Sequence, residues 1–177
     1  MCLTLVRHTA PDVAPGTCYG RLDLPPGPDF PDEADRLTRS LPPATRILSS
    51  PLTRCLRLAD HIAQARGLRV ETDPRLAEMD FGTWEGVAWD DVPLAELDAW
   101  AADFDHARPH GGESVAMFKT RVADLLTGLR EGQGCLLITH AGVMRAALNL
   151  TGQDATWQRR FAFGEALTLS AEDLGRL

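Results

Sequence analysis

The sequence predicts an α/β fold, a three-layer sandwich around a mostly parallel central sheet. Three observations carry that expectation. The chain has 177 residues, 44% of them hydrophobic, which is enough for one domain with a substantial buried core. Short apolar runs of strand length recur along it, and stretches with helical periodicity lie between them. Such alternation favours parallel strands joined by right-handed crossovers. We therefore read residues 1–177 as a single domain, with no internal repeat, low-complexity tract or interdomain linker.

The runs at 2–6, 46–49, 68–71 and 135–139 are β-branched or Leu-rich, too short for helices and bounded by turn residues, so they are expected strands, with a fifth at 166–170. Leu52, Cys55, Ala59, Ile62 and Ala63 share one helical face, as do Phe118, Val122, Leu125, Leu126 and Leu129. A third helix is expected to begin near Gly142 and to carry Val143, Ala146, Ala147 and Leu150. Two stretches break the alternation. Residues 10–31 hold Pro11, Pro15, Pro25, Pro26, Pro28 and Pro31 with Gly16, Gly20 and Gly27, which predicts a long stiffened loop of the kind that tends to be functional. From 74 to about 109, Phe81, Trp84, Trp89, Trp100 and Phe104 stand among many acids and predict a small cap-like insertion with a helix around 94–104.

Composition narrows the partners. Twenty-five Asp and Glu against 18 Lys and Arg give a formal net charge of −7, which argues against a broad cationic surface for nucleic acid or anionic lipid. Lys119 is the only lysine, so the cations are almost all arginine, whose rigid fork suits bidentate recognition of phosphate or carboxylate. Cys2, Cys18, Cys55 and Cys135 have no zinc-like spacing and read as reduced structural thiols. No apolar run approaches the roughly 20 residues of a membrane span, and the apolar start is too short for a signal peptide, so a cytoplasmic protein is expected.

In open parallel α/β sheets ligands collect at the carboxyl ends of the strands. Three of those ends are polar here: Arg7-His8-Thr9, Ser49-Ser50-Pro51-Leu52-Thr53-Arg54 and Thr139-His140-Ala141-Gly142. Singly, each has an ordinary explanation, a satisfied buried histidine, a solvated arginine or a helix cap. Together they place two arginines and two imidazoles at one edge, and burying that basic cluster costs desolvation unless an anion offsets it. Helix N-termini after Ser50 and Ala141 add N–H donors, which makes a phosphoryl group the simplest ligand. A metal is disfavoured because the strand ends bring arginines rather than carboxylates; no cofactor is called for.

The blocks Leu5-Val6-Arg7-His8, Ser49 to Cys55, Leu76 to Gly86, Gly111-Gly112-Glu113-Ser114 and Thr139-His140-Ala141-Gly142 together resemble the histidine phosphatase, or phosphoglycerate mutase-like, superfamily, in the family's order and over nearly the whole chain. The resemblance implies a phosphoglycerate mutase-like sandwich and a mechanism. His8 would be the nucleophile that forms a phosphohistidine. Arg7, Arg54 and His140 would line the pocket and stabilise the transferring group. Glu78 would be general acid and then base; chemistry alone does not choose it over Asp80, Glu85, Asp90 or Asp91, and the resemblance selects it by its place before Gly82. Glu113, at an expected helix start, reads as structural support. Thr9-Ala10 stands where the family often has Gly-Glu, so no acid neighbours His8 in sequence.

Bisphosphate-dependent mutases of this superfamily are typically longer, and the insertion after the Glu78 block is short here, which favours a phosphatase. Within the phosphatases, Cys18-Tyr19-Gly20-Arg21-Leu22-Asp23-Leu24-Pro25 and the run from Glu78 to Gly86 with Trp89 are most similar to α-ribazole phosphatases, which implies α-ribazole 5′-phosphate as substrate. Gly20 would let the backbone approach phosphate and Arg21 would add a cation, although a plain turn with a surface arginine fits equally. The tryptophans would stack on a flat heterocycle or pack a second small core. The alternatives are a mutase or relaxed phosphatase acting on phosphoglycerate or sugar phosphates, and a non-catalytic phosphate- or phosphopeptide-binding protein. The joint presence of His8, Arg54, Glu78 and His140 argues against the last, since binding alone needs neither nucleophile nor acid. The expected partner is a small phosphate ester; no sequence feature indicates an oligomeric state.

Overall fold

The computed structural model describes residues 2–129, 134–154 and 156–177. Five strands, β1 (Cys2–Arg7), β2 (Arg46–Ser49), β3 (Val70–Thr72), β4 (Cys135–Thr139) and β5 (Ala166–Ser170), form one sheet in the order β3-β2-β4-β1-β5. β3, β2, β4 and β1 are parallel, and β5 runs antiparallel along β1. Alternation along the strands explains the layering. Leu3 and Leu5 of β1 and Cys135 and Leu137 of β4 face a core shared with α4 (Val115–Gly128) and α5 (Ala141–Leu150), whereas Val6, Leu136 and Ile138 face α1 (Phe30–Ser40) and α2 (Thr53–Arg66). Helices thus cover both faces of a mostly parallel sheet, the α/β sandwich that the sequence predicts. Among the described residues, no helix is long and apolar enough to cross a membrane.

Two elements depart from expectation. α1 lies where the periodicity predicts no helix, and its start cuts short the loop read over residues 10–31. Pro31 occupies the first helical turn, where the missing N–H is harmless; Asp32 and Glu33 complement the dipole, and Ala34 and Leu37 are buried. β3 begins at Val70 rather than at 68. Gly67, at φ 65°, and Leu68 both return their N–H groups to Ala63 O, so Leu68 closes α2 and packs on its core instead of entering the sheet.

The insertion after β3 holds three short 3-10 turns, Pro74–Leu76, Gly82–Trp84 and Trp89–Asp91, and the helix α3 (Leu94–Ala102). Trp84, Val92 and Cys18 form a small third core, with Phe81, Trp89 and Trp100 packed against it. The proline-rich loop is strapped to this cap by Cys18 N–H to Val87 O at 2.8 Å, Gly86 N–H to Cys18 O at 2.8 Å and Trp89 N–H to Gly16 O at 2.9 Å. Loop and cap therefore make one wall above the carboxyl ends of β1 and β4. A short C-terminal helix, α6 (Ala171–Leu174), follows β5 under a Ser170–Asp173 capping box.

Candidate active site

His8 leaves the end of β1, still tied to the sheet by its N–H to Thr139 O at 3.0 Å, and is almost completely buried. Its Nδ1 lies 2.7 Å from Thr9 O, and Arg54 Nε donates to its Nε2 at 3.3 Å. A carbonyl only accepts and a guanidinium only donates, so both contacts require the same tautomer: proton on Nδ1, lone pair on Nε2. His140, the residue before α5, is fixed in the opposite sense. Arg54 Nη2 donates to its Nδ1 at 3.3 Å, which leaves Nε2–H to donate to Ser50 Oγ at 2.8 Å. The two rings stand edge to face, 5.1 Å between centroids.

Arg54 is fully buried and spends further N–H groups on two loop carbonyls, Leu22 O at 2.8 Å and Gly20 O at 2.7 Å. Arg7 donates from Nη1 to Phe161 O at 2.6 Å, stacks 3.9 Å above the Phe163 ring, and has no hydrogen-bond partner for its buried Nε among the described residues. Among the described residues neither guanidinium lies within ion-pair distance of a carboxylate. Burial, then the positive charge of Arg54 and of Arg7, depresses the His8 pKa to about 3, against the pull of the Thr9 carbonyl. Burial also pushes His140 well below the ordinary range, helped by His8, Arg54 and Arg7. Both imidazoles are neutral near pH 7.

Glu78 follows the first short turn of the cap. Its Oε1 accepts from Met79 N–H and its Oε2 from Gly142 N–H, each at 2.9 Å, so the carboxylate rests on the first turn of α5. Arg7, His8, Glu78 and Gly142 all line one cavity of about 510 Å³. Its walls are the rings of Phe81, Trp89, Trp100, Phe104, Phe118 and Trp157, and Tyr19 and Arg145 also reach it. A neutral imidazole whose one lone pair is engaged only by a long Arg54 contact, a cation with an unpaired N–H and a carboxylate around one cavity can bind an anion, attack it and move a proton.

A family model described as Histidine phosphatase superfamily (branch 1) matches residues 3–171. The chain belongs to the histidine phosphatase superfamily. Phosphoserine phosphatase 1 of Hydrogenobacter thermophilus is 31% identical over 161 residues, covering 81% of this chain and 72% of that protein. Adenosylcobalamin/alpha-ribazole phosphatase of Escherichia coli (strain K12) is 32% identical over 64% of this chain and 61% of its own length. The crystal structure of a phosphoglycerate mutase from Thermus thermophilus superimposes with a TM-score of 0.77 at 32% identity, covering 96% of this chain and 92% of that one. The phosphoglycerate mutase-like fold expected from the sequence is thereby shown.

This histidine phosphatase chain brings Arg7, His8, Glu78, Arg54 and His140 together, but in two layers. Arg7, His8 and Glu78 reach the cavity. Arg54 and His140, expected on the pocket wall, lie one layer deeper, because Arg54 is held under the loop by the Gly20 and Leu22 carbonyls. Gly20 and Arg21 do not line the cavity. A Cβ on Gly20 would fall 1.9 Å from Met79 O, so the close approach that needs glycine there is to the cap. Arg21 is exposed and donates from Nε to Glu78 O at 2.9 Å. Thr9 supplies a backbone carbonyl to His8 in place of an acidic neighbour.

Several contributors carry little or no mark in the sequence. Ser50 sits inside a recognised block, yet nothing there marks it as the partner of His140. Arg145 is one turn beyond Gly142, a spacing that puts both on one helix face. Tyr19 is the only tyrosine in the chain and next to Gly20, which is the available signal. Trp157 and Phe163 come from a stretch without periodicity and carry no such signal.

Proposed function

We propose that the protein is a metal-independent phosphomonoesterase acting through a phosphohistidine on His8, with α-ribazole 5′-phosphate as its substrate. The observation that carries the chemistry is the locked His8 tautomer, proton on Nδ1 and lone pair on Nε2, in a residue that lines the same cavity as Arg7 and Glu78. Nε2 gives up its long contact with Arg54 and attacks phosphorus as the bond to the leaving oxygen breaks, and Glu78, carrying a proton at this step, passes it to the departing alkoxide. Arg7, from the cavity wall, and Arg54, through its charge behind His8, stabilise the transferring group. Water then attacks the phosphohistidine, Glu78 takes its proton, the P–N bond breaks, and His8 returns neutral with phosphate released.

The ribazole reading is supported by the aromatic walls, which suit a flat heterocyclic leaving group in a cavity of ligand size. The named activity of the Escherichia coli relative supports it too. One observation favours a second reading. Arg145 reaches the same cavity and, among the described residues, engages only its Nε, to Arg159 O at 2.7 Å, and has no carboxylate partner. A free guanidinium there suits a carboxylate on the leaving group, as in phosphoserine or phosphoglycerate.

Rapid acid or base quenching during turnover tests the mechanism: base-stable, acid-labile phosphate should appear on wild-type protein and be absent from His8→Ala, whose kcat/KM should fall by on the order of 10³-fold or more. Wild-type turnover by His8→Ala would end the proposal, and binding without turnover or trapped phosphate would point to a phosphate-binding protein. A substrate panel tests specificity. Higher kcat/KM for ribazole phosphate than for O-phosphoserine and 3-phosphoglycerate is expected; the reverse order, abolished by Arg145→Met, would establish the second reading.

A further inference from the structure

We infer that Gly142 is a positioning residue for the general acid, a conclusion that rests on Glu78 being that acid. Gly142 is the second residue of α5, directly after the His140–Ala141 step. Its φ is not positive, so the backbone there does not call for glycine, and the first turn of a helix ordinarily favours almost any other residue. What requires glycine is space. A Cβ at 142 would lie 2.1 Å from Glu78 Oε1, 2.9 Å from its Cδ and 3.1 Å from Oε2. The three nearest atoms all belong to this one carboxyl group, while the N–H of the same residue donates to Oε2 at 2.9 Å. The carboxylate is therefore packed against the opening turn of α5, held between Met79 N–H and Gly142 N–H, and both Glu78 and Gly142 line the cavity with His8.

A methyl group at 142 meets no backbone of another element at these distances. It is accommodated by pushing the end of a flexible side chain from 2.1 Å to beyond 3.0 Å. Gly142→Ala is thus a displacement of the Glu78 carboxylate that leaves the fold in place, and the helix itself gains a better helix former. Misplacement of a reacting group by about 1 Å costs on the order of 10²-fold in rate. The loss should follow the need for a proton on the leaving group, since the displaced group is the proton donor.

The test compares wild type, Gly142→Ala and Glu78→Gln by kcat/KM, which reports the phosphorylation step, on an alkyl phosphate and on p-nitrophenyl phosphate, whose leaving group departs without protonation. Thermal unfolding is followed alongside. Gly142→Ala is expected to lose about 10²-fold on the alkyl ester, at least about tenfold less on the nitrophenyl ester, and to unfold no earlier than wild type. Glu78→Gln should show the same split. If Glu78→Gln shows the split and Gly142→Ala does not, the positioning role is wrong while the acid assignment stands. If Gly142→Ala loses both substrates equally and unfolds earlier, the glycine is merely structural. If Glu78→Gln shows no split, the acid assignment beneath the inference fails.

Discussion

At the scale of single residues the site turns on Arg54, a fully buried cation that donates to both imidazoles and has no carboxylate within ion-pair distance among the described residues. Burial above all, with the charge of Arg54 added, keeps His8 and His140 neutral, and the Arg54 N–H groups fix which ring nitrogen of each carries the lone pair, a condition for nucleophilic attack. Neutrality has a consequence for stability. The unfolded chain protonates histidine near pH 6.5, whereas folded His8 resists protonation down to about 3 and His140 is also well depressed. Between those limits the unfolded state binds more protons, so stability is complete above pH 6.5 and falls as pH drops, by at most about 1.4 kcal/mol per unit for each histidine. Urea midpoints at pH 6.5, 6.0, 5.5 and 5.0 should decline in wild type and decline less in His8→Asn. Equal slopes would remove His8 from the balance.

At the scale of elements, what was legible depended on how local the cause was. β1, β2 and β4 are buried on both faces and read as continuous apolar runs, so their ends, and with them Arg7, His8, Arg54 and His140, could be placed from sequence. α1 buries only Ala34 and Leu37 and carries in its first turn Pro31, the last proline of the proline-rich stretch, so its periodicity is too thin to separate from that loop. The depth of Arg54 and the packing role of Gly20 depend on carbonyls far along the chain, which no local pattern encodes. Arg121 on α4 is the plainest example. It donates to Arg75 O, Ala77 O and Glu78 O, holding the segment that presents Glu78, and pairs with Glu113 at 2.8 Å, their side chains 16% and 11% exposed. Glu113 accordingly has the supporting place that its position suggested, through Arg121 rather than through a helix dipole. Arg121→Met should cost on the order of 3 kcal/mol, because it strands Glu113 and frees three carbonyls. Glu113→Gln, which keeps a hydrogen-bonding partner for the guanidinium, should cost less. Urea titration of both variants checks the order, and similar losses would mean that the carbonyl contacts contribute little.

At the scale of the whole molecule, the charge of −7 and the arginine-rich basic set become one arrangement. Arg46, Arg75, Arg121, Arg159 and Arg176 are each paired with an acid, on Glu71, Asp73, Glu113, Glu165 and Glu172. Arg7, Arg54 and Arg145, which converge on or beneath the cavity, are without acid partners among the described residues. Those three leave positive charge at one pocket of a chain whose net charge is −7, although exposed arginines such as Arg36, Arg57 and Arg69 also have no acid partner among the described residues. A small dianionic ester gains the charge at the pocket without meeting much of the acidic exterior, whereas a long polyanion must lie along the repelling surface. The protein should therefore prefer a nucleoside 5′-monophosphate over the same phosphate at the 5′ end of a single-stranded oligonucleotide. If charge is the cause, that preference must shrink with salt, because the screening length falls from about 30 Å at 0.01 M to about 3 Å at 1 M. Measuring both kcat/KM values across that range decides between causes: a ratio that converges with salt identifies the acidic exterior, and a ratio that stays fixed assigns the discrimination to the shape of the aromatic walls.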